Sequence, residues 1–207
     1  MKLDDSYRLG ADRALEVLGW AKVAGVRDVT LFGLSCENLE KRKSSELEAL
    51  LVGANYFLDQ AFVRGYRLHV FGDIDTLATD GRCSSLVERV RSIPPPTDDH
   101  DFTVHVGMNY SGGAIHELEP LFTAIERHGL EEVRKNRMRY LLSASVPSVD
   151  LVIRTGAKRE KRTSGLLPFQ TGYAELRFVN AYWGNFTEGH FHNTLQWYAR
   201  QERNFGK

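Results

Sequence analysis

The sequence predicts an α/β fold, a mostly parallel β-sheet flanked by helices. Three observations predict it. Short runs rich in β-branched and aromatic residues alternate with amphipathic stretches of roughly 12–20 residues, the pattern of βαβ units. Glycine or proline stands where several of the helical patterns stop, at Gly25, Gly65 and Pro94. The chain has 207 residues, 42% of them hydrophobic, which suffices for one core without disulfides or structural metal.

Taken in order, the first 24 residues read as a helix, with Leu9, Ala14, Leu15, Leu18 and Ala21 near helical spacing and Asp4, Asp5 and Ser6 as N-terminal cappers. Val26 to Leu34 (VRDVTLFGL) reads as a buried strand. Ser44 to Arg64 is a second helix with an apolar stripe from Leu47 to Ala61, and Tyr66 to Gly72 a second strand. A shorter helix spans Asp80 to Ile93, stopped by three prolines. Phe102 to Met108 (FTVHVGM) is the third strand, and helical signals return over Gly113–His128 and Leu130–Ala144. Val149 to Arg154 and Glu175 to Asn180 are the fourth and fifth strands, and Glu188–Glu202 closes the chain as a helix. The proline-rich 94–101 segment suits a surface loop, so 1–207 is a single domain.

Charge and cysteine usage exclude several functions. Lys plus Arg and Asp plus Glu both number 27, so no bulk basic surface exists to hold nucleic acid. The two cysteines, Cys36 and Cys83, form no CxxC and no disulfide framework, which fits a reducing compartment. No apolar run approaches the length of a membrane span, and MKLDDSYRLG has no signal-peptide core, so the cytoplasm is the expected location. The P-loop, dinucleotide-binding and serine-hydrolase motifs are absent in their usual forms. His190 and His192, at i and i+2, do not share a helical face.

In parallel sheets, ligands collect beyond the carboxyl ends of the strands. The segments to inspect are therefore 35–43, 73–80, 109–113 and 155–165. The segment from Arg154 to Gly165 holds five basic side chains against one acid, interleaved with Thr, Ser and Gly. Arginine forks and small donors of this kind make a diphosphate pocket; the alternative is a solvated basic loop. After the first strand, Ser35 and Asn38 can orient a phosphate or reactive group and Arg42 can pair with an anion, although Ser and Asn are also ordinary helix caps. Glu175, at the edge of the fifth strand, can hold Mg²⁺ together with substrate phosphates, or make a surface ion pair.

In order and together, these segments resemble the cis-prenyltransferases, the undecaprenyl diphosphate synthase family. TLFGLSCENLEKR (Thr30–Arg42) resembles that family's strand followed by Ser-x-Glu-Asn-aromatic and a basic residue. RLHVFGD (Arg67–Asp73) and MNYSGG (Met108–Gly113) resemble its next two strand ends. DLVIRTG (Asp150–Gly156), Glu160-x-Arg162-x-Ser164 and the run from Leu166 to Glu175, with Gln170 and Tyr173, resemble its C-terminal signature; Arg203-Asn204-Phe205-Gly206 resembles its tail. Tyr7 stands where the family often has His, Leu39 where it has an aromatic residue, and Gly113 where it has Arg. The family opens with a strand and an Asp-Gly-Asn-x-Arg loop, and the resemblance here starts after that point, at about Tyr7.

The resemblance implies a parallel sheet flanked by helices around a hydrophobic tunnel. It implies condensation of isopentenyl diphosphate with an allylic diphosphate, aided by Mg²⁺, to a cis-polyprenyl diphosphate. Carried over residue by residue, Arg154, Arg162 and Ser164 bind the isopentenyl diphosphate, with Arg42 as a further substrate-binding residue. Ser35 and Asn38 lie near the reacting centre, and Glu175 serves the metal. The implied partners are the two diphosphates and a second copy in a homodimer, or an active homologue in a heterodimer, with peripheral membrane contact for a long product. A non-catalytic partner subunit and an irregular prenyl-condensing or cyclising enzyme are the other functions consistent with it.

Overall fold

The computed structural model describes residues 3–94, 101–110, 114–156 and 161–202. Its helices are α1 (Leu3–Val23), α2 (Cys36–Lys41), α3 (Ser44–Val63), α4 (Ile74–Leu77), α5 (Ser84–Arg91), α6 (Ala114–His128), α7 (Leu130–Lys135) and α8 (Glu188–Tyr198). Its strands are β1 (Asp28–Leu34), β2 (Arg67–Phe71), β3 (Thr103–Met108), β4 (Leu151–Arg154) and β5 (Glu175–Phe178). Every strand pair is parallel, as the alternating pattern predicts. The strands nevertheless fall into two sheets, one ordered β1-β3-β2 and one of β4-β5, where the sequence reading expects one.

The strands have two working faces because successive side chains alternate. Leu68, Val104, Val106 and Met108 point into the main core, against Leu15 and Leu18 of α1, Leu47 and Leu58 of α3, and Leu86 of α5. Two residues of β1 oppose one step of β3 between Phe32 and Leu34, a bulge that shifts the phase and turns Leu34 into that core. Helices α1 and α3 approach so closely that a Cβ at Gly53 would press on Tyr7. On the other face, Phe71, Tyr110, Val146 and Leu167 form a smaller cluster that joins the three-stranded sheet to the segments around β4 and β5.

Local differences from the sequence reading have physical causes. Helix α1 begins at Leu3, so Asp4 and Asp5 lie inside its first turn, where carboxylates favour the helix dipole rather than cap it. Segments 35–43 and 73–80, singled out in the sequence for their place after strands, contain α2 and α4; helices of six and four residues are too short for hydrophobic periodicity to register. The helix expected over 130–144 stops at Lys135, after which Asn136 leaves helical geometry and a 3₁₀ turn at Arg137–Tyr140 leads Leu141 and Ser143 into the interior. The closing helix ends at Tyr198. Among the described residues, no helix is long and apolar enough to cross a membrane.

Gly72, just after β2, has φ of +127°, and a Cβ there would overlap the Met108 carbonyl oxygen at the end of β3. Replacing Gly72 by Ala is therefore expected to destabilise the protein by about 3 kcal/mol or more, since strained backbone and a backbone clash add. Urea unfolding of wild type and Gly72→Ala checks it. Gly65→Ala is the control, because that position shares the positive φ but has open space around it.

Candidate active site

The carboxyl ends of β1, β2 and β3 meet at one edge and are stitched together by backbone groups. Tyr110 N donates to Leu34 O at 3.2 Å, and Asp73 N donates to Asn109 O at 3.3 Å. Asn109 is buried with φ of +47°, a conformation Asn tolerates better than most residues, and its Nδ2 donates to Asp73 O at 2.8 Å. Cys36 Sγ donates to Asn109 O at 3.3 Å, which ties the start of α2 to the same point. Beyond this knot opens a cleft of about 560 Å³, lined at the strand ends by Cys36, Gly72, Asp73 and Asn109 and across from them by His116 and Arg127 of α6.

Of the sequence-predicted site residues, Ser35, Asn38 and Arg42 are brought together. Ser35 is the N-cap of α2, its Oγ accepting from Asn38 N at 3.3 Å. Arg42 Nε donates to Asn38 Oδ1 at 2.7 Å, and its Nη1 donates to the Tyr7 hydroxyl, with the guanidinium 5.9 Å from the Tyr7 ring centre. A half-buried cation is thus fixed by two neighbours, Asn38 and Tyr7, and among the described residues its second terminal nitrogen is left for an anion. The sequence reading placed Tyr7 only as a departure from a family pattern; its contact to Arg42, thirty-five residues on, needed the α1–α3 packing to become visible. Glu37 sits below the usual carboxylate range, held there first by its own backbone amide at the start of α2 and then by the Ser35 hydroxyl.

The second group stands on the other sheet. Arg154 ends β4 and is half-buried; Gly156 N donates to Ala181 O at 2.6 Å, fastening the outgoing chain to the end of β5. Arg162 and Ser164 are exposed on the returning segment, Ser164 with φ of +53°. Lys158, Arg159 and Glu160 of the basic segment, the Ser111–Gly113 run and the tail motif lie outside the described residues. A smaller cleft of about 340 Å³, lined by Gly156, Asn180, Ala181, Tyr182, Asn185 and His190, opens at the ends of β4 and β5. Glu175 begins β5 and pairs in register with Leu151, whereas Arg154 pairs with Phe178. Glu175 therefore stands three register steps, roughly 10 Å, from the level of Arg154. The two side chains must reach toward each other across the strands for one diphosphate to meet both.

Cys36 lines the cleft but is not poised as a nucleophile. Burial, and then the charges of Glu37, Asp73 and Glu40, push its thiol up to about 11. At pH 8 its alkylation by iodoacetamide is expected to run about a hundredfold slower than that of an ordinary thiol, because only the thiolate reacts, and to accelerate tenfold per pH unit toward 11. Mass-spectrometric labelling of Cys36 over pH 7–10 measures this; a plateau below pH 9 would contradict it.

Comparison with known proteins adds the context. The family model for undecaprenyl diphosphate synthase (Prenyltransf) matches residues 1–206. An isoprenyl transferase of Streptomyces fradiae is 30% identical over 97% of this chain and 80% of its own length. A (2Z,6E)-farnesyl diphosphate synthase of Mycolicibacterium smegmatis is 32% identical over 97% of this chain and 78% of its own. The crystal structure of lavandulyl diphosphate synthase from Lavandula x intermedia, in complex with dimethylallyl diphosphate, superposes with a TM-score of 0.77 over 100% of this chain and 90% of that one; at 18% identity this speaks to the fold alone.

Proposed function

The chain belongs to the undecaprenyl diphosphate synthase family of prenyltransferases, and from that membership we propose that it condenses isopentenyl diphosphate with an allylic diphosphate to give a cis-polyprenyl diphosphate. The observation that carries the reading is the set of arginines at the carboxyl edges: Arg42 fixed by Asn38 and Tyr7, and Arg154 at the end of β4. Two diphosphates need two such cationic positions.

In this reading Arg154 and Arg162 hold the isopentenyl diphosphate through their planar forks, and the Ser164 hydroxyl donates a further hydrogen bond. Arg42 faces the allylic diphosphate. Asn38, its Oδ1 engaged by Arg42, keeps its amide hydrogens for the reacting groups, and the Ser35 hydroxyl can donate beside it. The terminal carbon of the isopentenyl unit bonds to the allylic carbon. The allylic diphosphate leaves with the electron pair of the broken C–O bond, and a proton leaves the isopentenyl unit. Guanidinium groups already in place where negative charge grows lower the barrier, because they need not reorganise during the reaction.

Mg²⁺ fits this donor set only as a shared ion. Among the described residues no three His, Cys, Asp or Glu side chains form a metal cage, and a hard divalent cation is commonly held by one carboxylate plus phosphate oxygens. Glu175 is the carboxylate proposed to hold it, and the ion when bound would draw charge from the departing diphosphate. The natural wall for a growing apolar chain is α3, whose Leu47, Leu50 and Leu51 are buried in the main core. For a homodimer, the exposed Phe169, Tyr173 and Leu176 supply an apolar patch on and before β5 for a second copy to cover.

Incubation with labelled isopentenyl diphosphate, Mg²⁺ and dimethylallyl, geranyl or farnesyl diphosphate is expected to give products lengthened by five-carbon units with cis double bonds, and chelation of the metal to abolish them. Arg154→Ala and Arg162→Ala should each weaken isopentenyl diphosphate binding by about 1.5–3 kcal/mol, the range for a lost charged hydrogen bond. Folded protein giving no product with any of the three starters, and unchanged affinity in both variants, would overturn the proposal.

A further inference from the structure

Four side chains that the proposed reaction does not use stand in one hydrogen-bonded row across the three-stranded sheet. His69 of β2 and His105 of β3 are register partners, so their rings share the face opposite the main core. Both are buried, at 8% and 4% exposure, with their Nδ1 atoms 2.8 Å apart. His105 Nε2 lies 3.0 Å from Oδ1 of Asp28, at the start of β1. At the other end, His69 Nε2 lies 2.9 Å from the hydroxyl of Ser145, an exposed residue on the segment that links α7 to β4.

The order of these groups sets their chemistry. A carboxylate only accepts, so with both rings neutral Asp28 takes the hydrogen of His105 Nε2, and His105 Nδ1 offers a lone pair. His69 then carries its hydrogen on Nδ1, and its Nε2 lone pair faces the Ser145 hydroxyl. Burial first, then His105 and Arg67, lower the His69 pKa to about 4, which keeps that lone pair free at neutral pH. A serine hydroxyl aimed at the bare nitrogen of an imidazole, whose other nitrogen is fixed by a further group, is the arrangement that makes serine a nucleophile. When His69 takes the hydroxyl proton, no bond in the row is lost: Nδ1 still donates to His105, and Nε2 now donates to the serine oxygen. Ser145 also adjoins Val146 of the smaller apolar cluster, against which the half-buried Leu142 and Val149 pack, surroundings that suit an acyl group.

We propose that Ser145 is a nucleophile that accepts an acyl group from an activated carboxylic ester, with His69 as its general base and His105 and Asp28 as positioning residues. Ser145 Oγ bonds to the carbonyl carbon of the ester, and its proton goes to His69 Nε2. The bond from that carbon to the alkoxy or aryloxy oxygen breaks, its electron pair leaving with that oxygen. The protein is left as an ester of Ser145, and the proton passes from His69 to the departing oxygen or to water. This activity is separate from prenyl transfer: it uses none of the groups assigned to the two diphosphates, and its test contains no diphosphate.

The probe is p-nitrophenyl acetate, given to the full chain at pH 7.5 and followed by nitrophenolate release and peptide mass spectrometry. Ser148, exposed on the same segment and with no histidine partner among the described residues, is the internal reference. Ser145 is expected to gain one acetyl group at least about a hundredfold faster than Ser148, the lower end of what a general base contributes. His69→Gln should lose that advantage. Asp28→Asn, at a side chain 41% exposed, should slow acetylation of the folded protein by at least about tenfold, because an amide no longer fixes the direction of the hydrogens. In wild type, ¹⁵N shifts of the ring nitrogens should show His69 as the Nδ1–H tautomer and His105 as the Nε2–H tautomer. Ser145 acetylated no faster than Ser148, an unchanged rate in the variants, or reversed tautomers would overturn the proposal. If His69→Gln does not fold, Asp28→Asn and the tautomers decide.

Discussion

The site depends on three parallel strands delivering their carboxyl ends to one point without a clash. Parallel pairing guarantees a common edge, but each chain must then leave in its own direction. Gly72 does so where any side chain would strike the end of β3, and Asn109 does so in a left-handed conformation paid for by its side-chain bond to Asp73 O. Backbone groups at this turn bond one another, Tyr110 N to Leu34 O and Asp73 N to Asn109 O, which spares them an unpaired burial. Cys36, Asp73 and Asn109 line the cleft because this turn holds them there.

The two faces of the three-stranded sheet are fastened by different forces. Toward α1, α3 and α5 the contact is apolar and tolerant of shape-preserving change. Toward the segments around β4 it mixes a small apolar cluster with buried polar groups: the His69–His105 pair, Glu117 with Ser143, and Gln170. The Tyr110 hydroxyl belongs to the same region, its pKa raised by burial and by the Glu117 carboxylate. Buried polar groups are costly unless paired and directional when paired, so they fix an orientation that an oily contact would leave loose. That suits a joint whose two sides each carry one of the proposed diphosphate sites.

Much of this was legible in the sequence. The strands and the long helices followed from periodicity and from Gly25 and Gly65, which end α1 and α3 with positive φ. Ser35, Asn38 and Arg42 were legible as a motif, and the structure brings them together. What was hidden depends on distance in sequence. Tyr7 meets Arg42 only because α1 packs on α3, and His69 meets His105 only because β2 and β3 share a register. Histidines at 69 and 105 carry no local spacing signal, and Glu117 in a helical pattern reads as surface until the turn at Ser143 closes over it. The division into two sheets was likewise invisible, since a strand's own residues do not name its neighbours.

The most direct measurement is a crystal structure of the protein with isopentenyl diphosphate, Mg²⁺ and an unreactive allylic diphosphate analogue. The account predicts one diphosphate on Arg154, Arg162 and Ser164, the other facing Arg42, and the allylic chain entering along α3. A diphosphate bound away from both arginine positions, or both ligands lodged elsewhere on the surface, would contradict it.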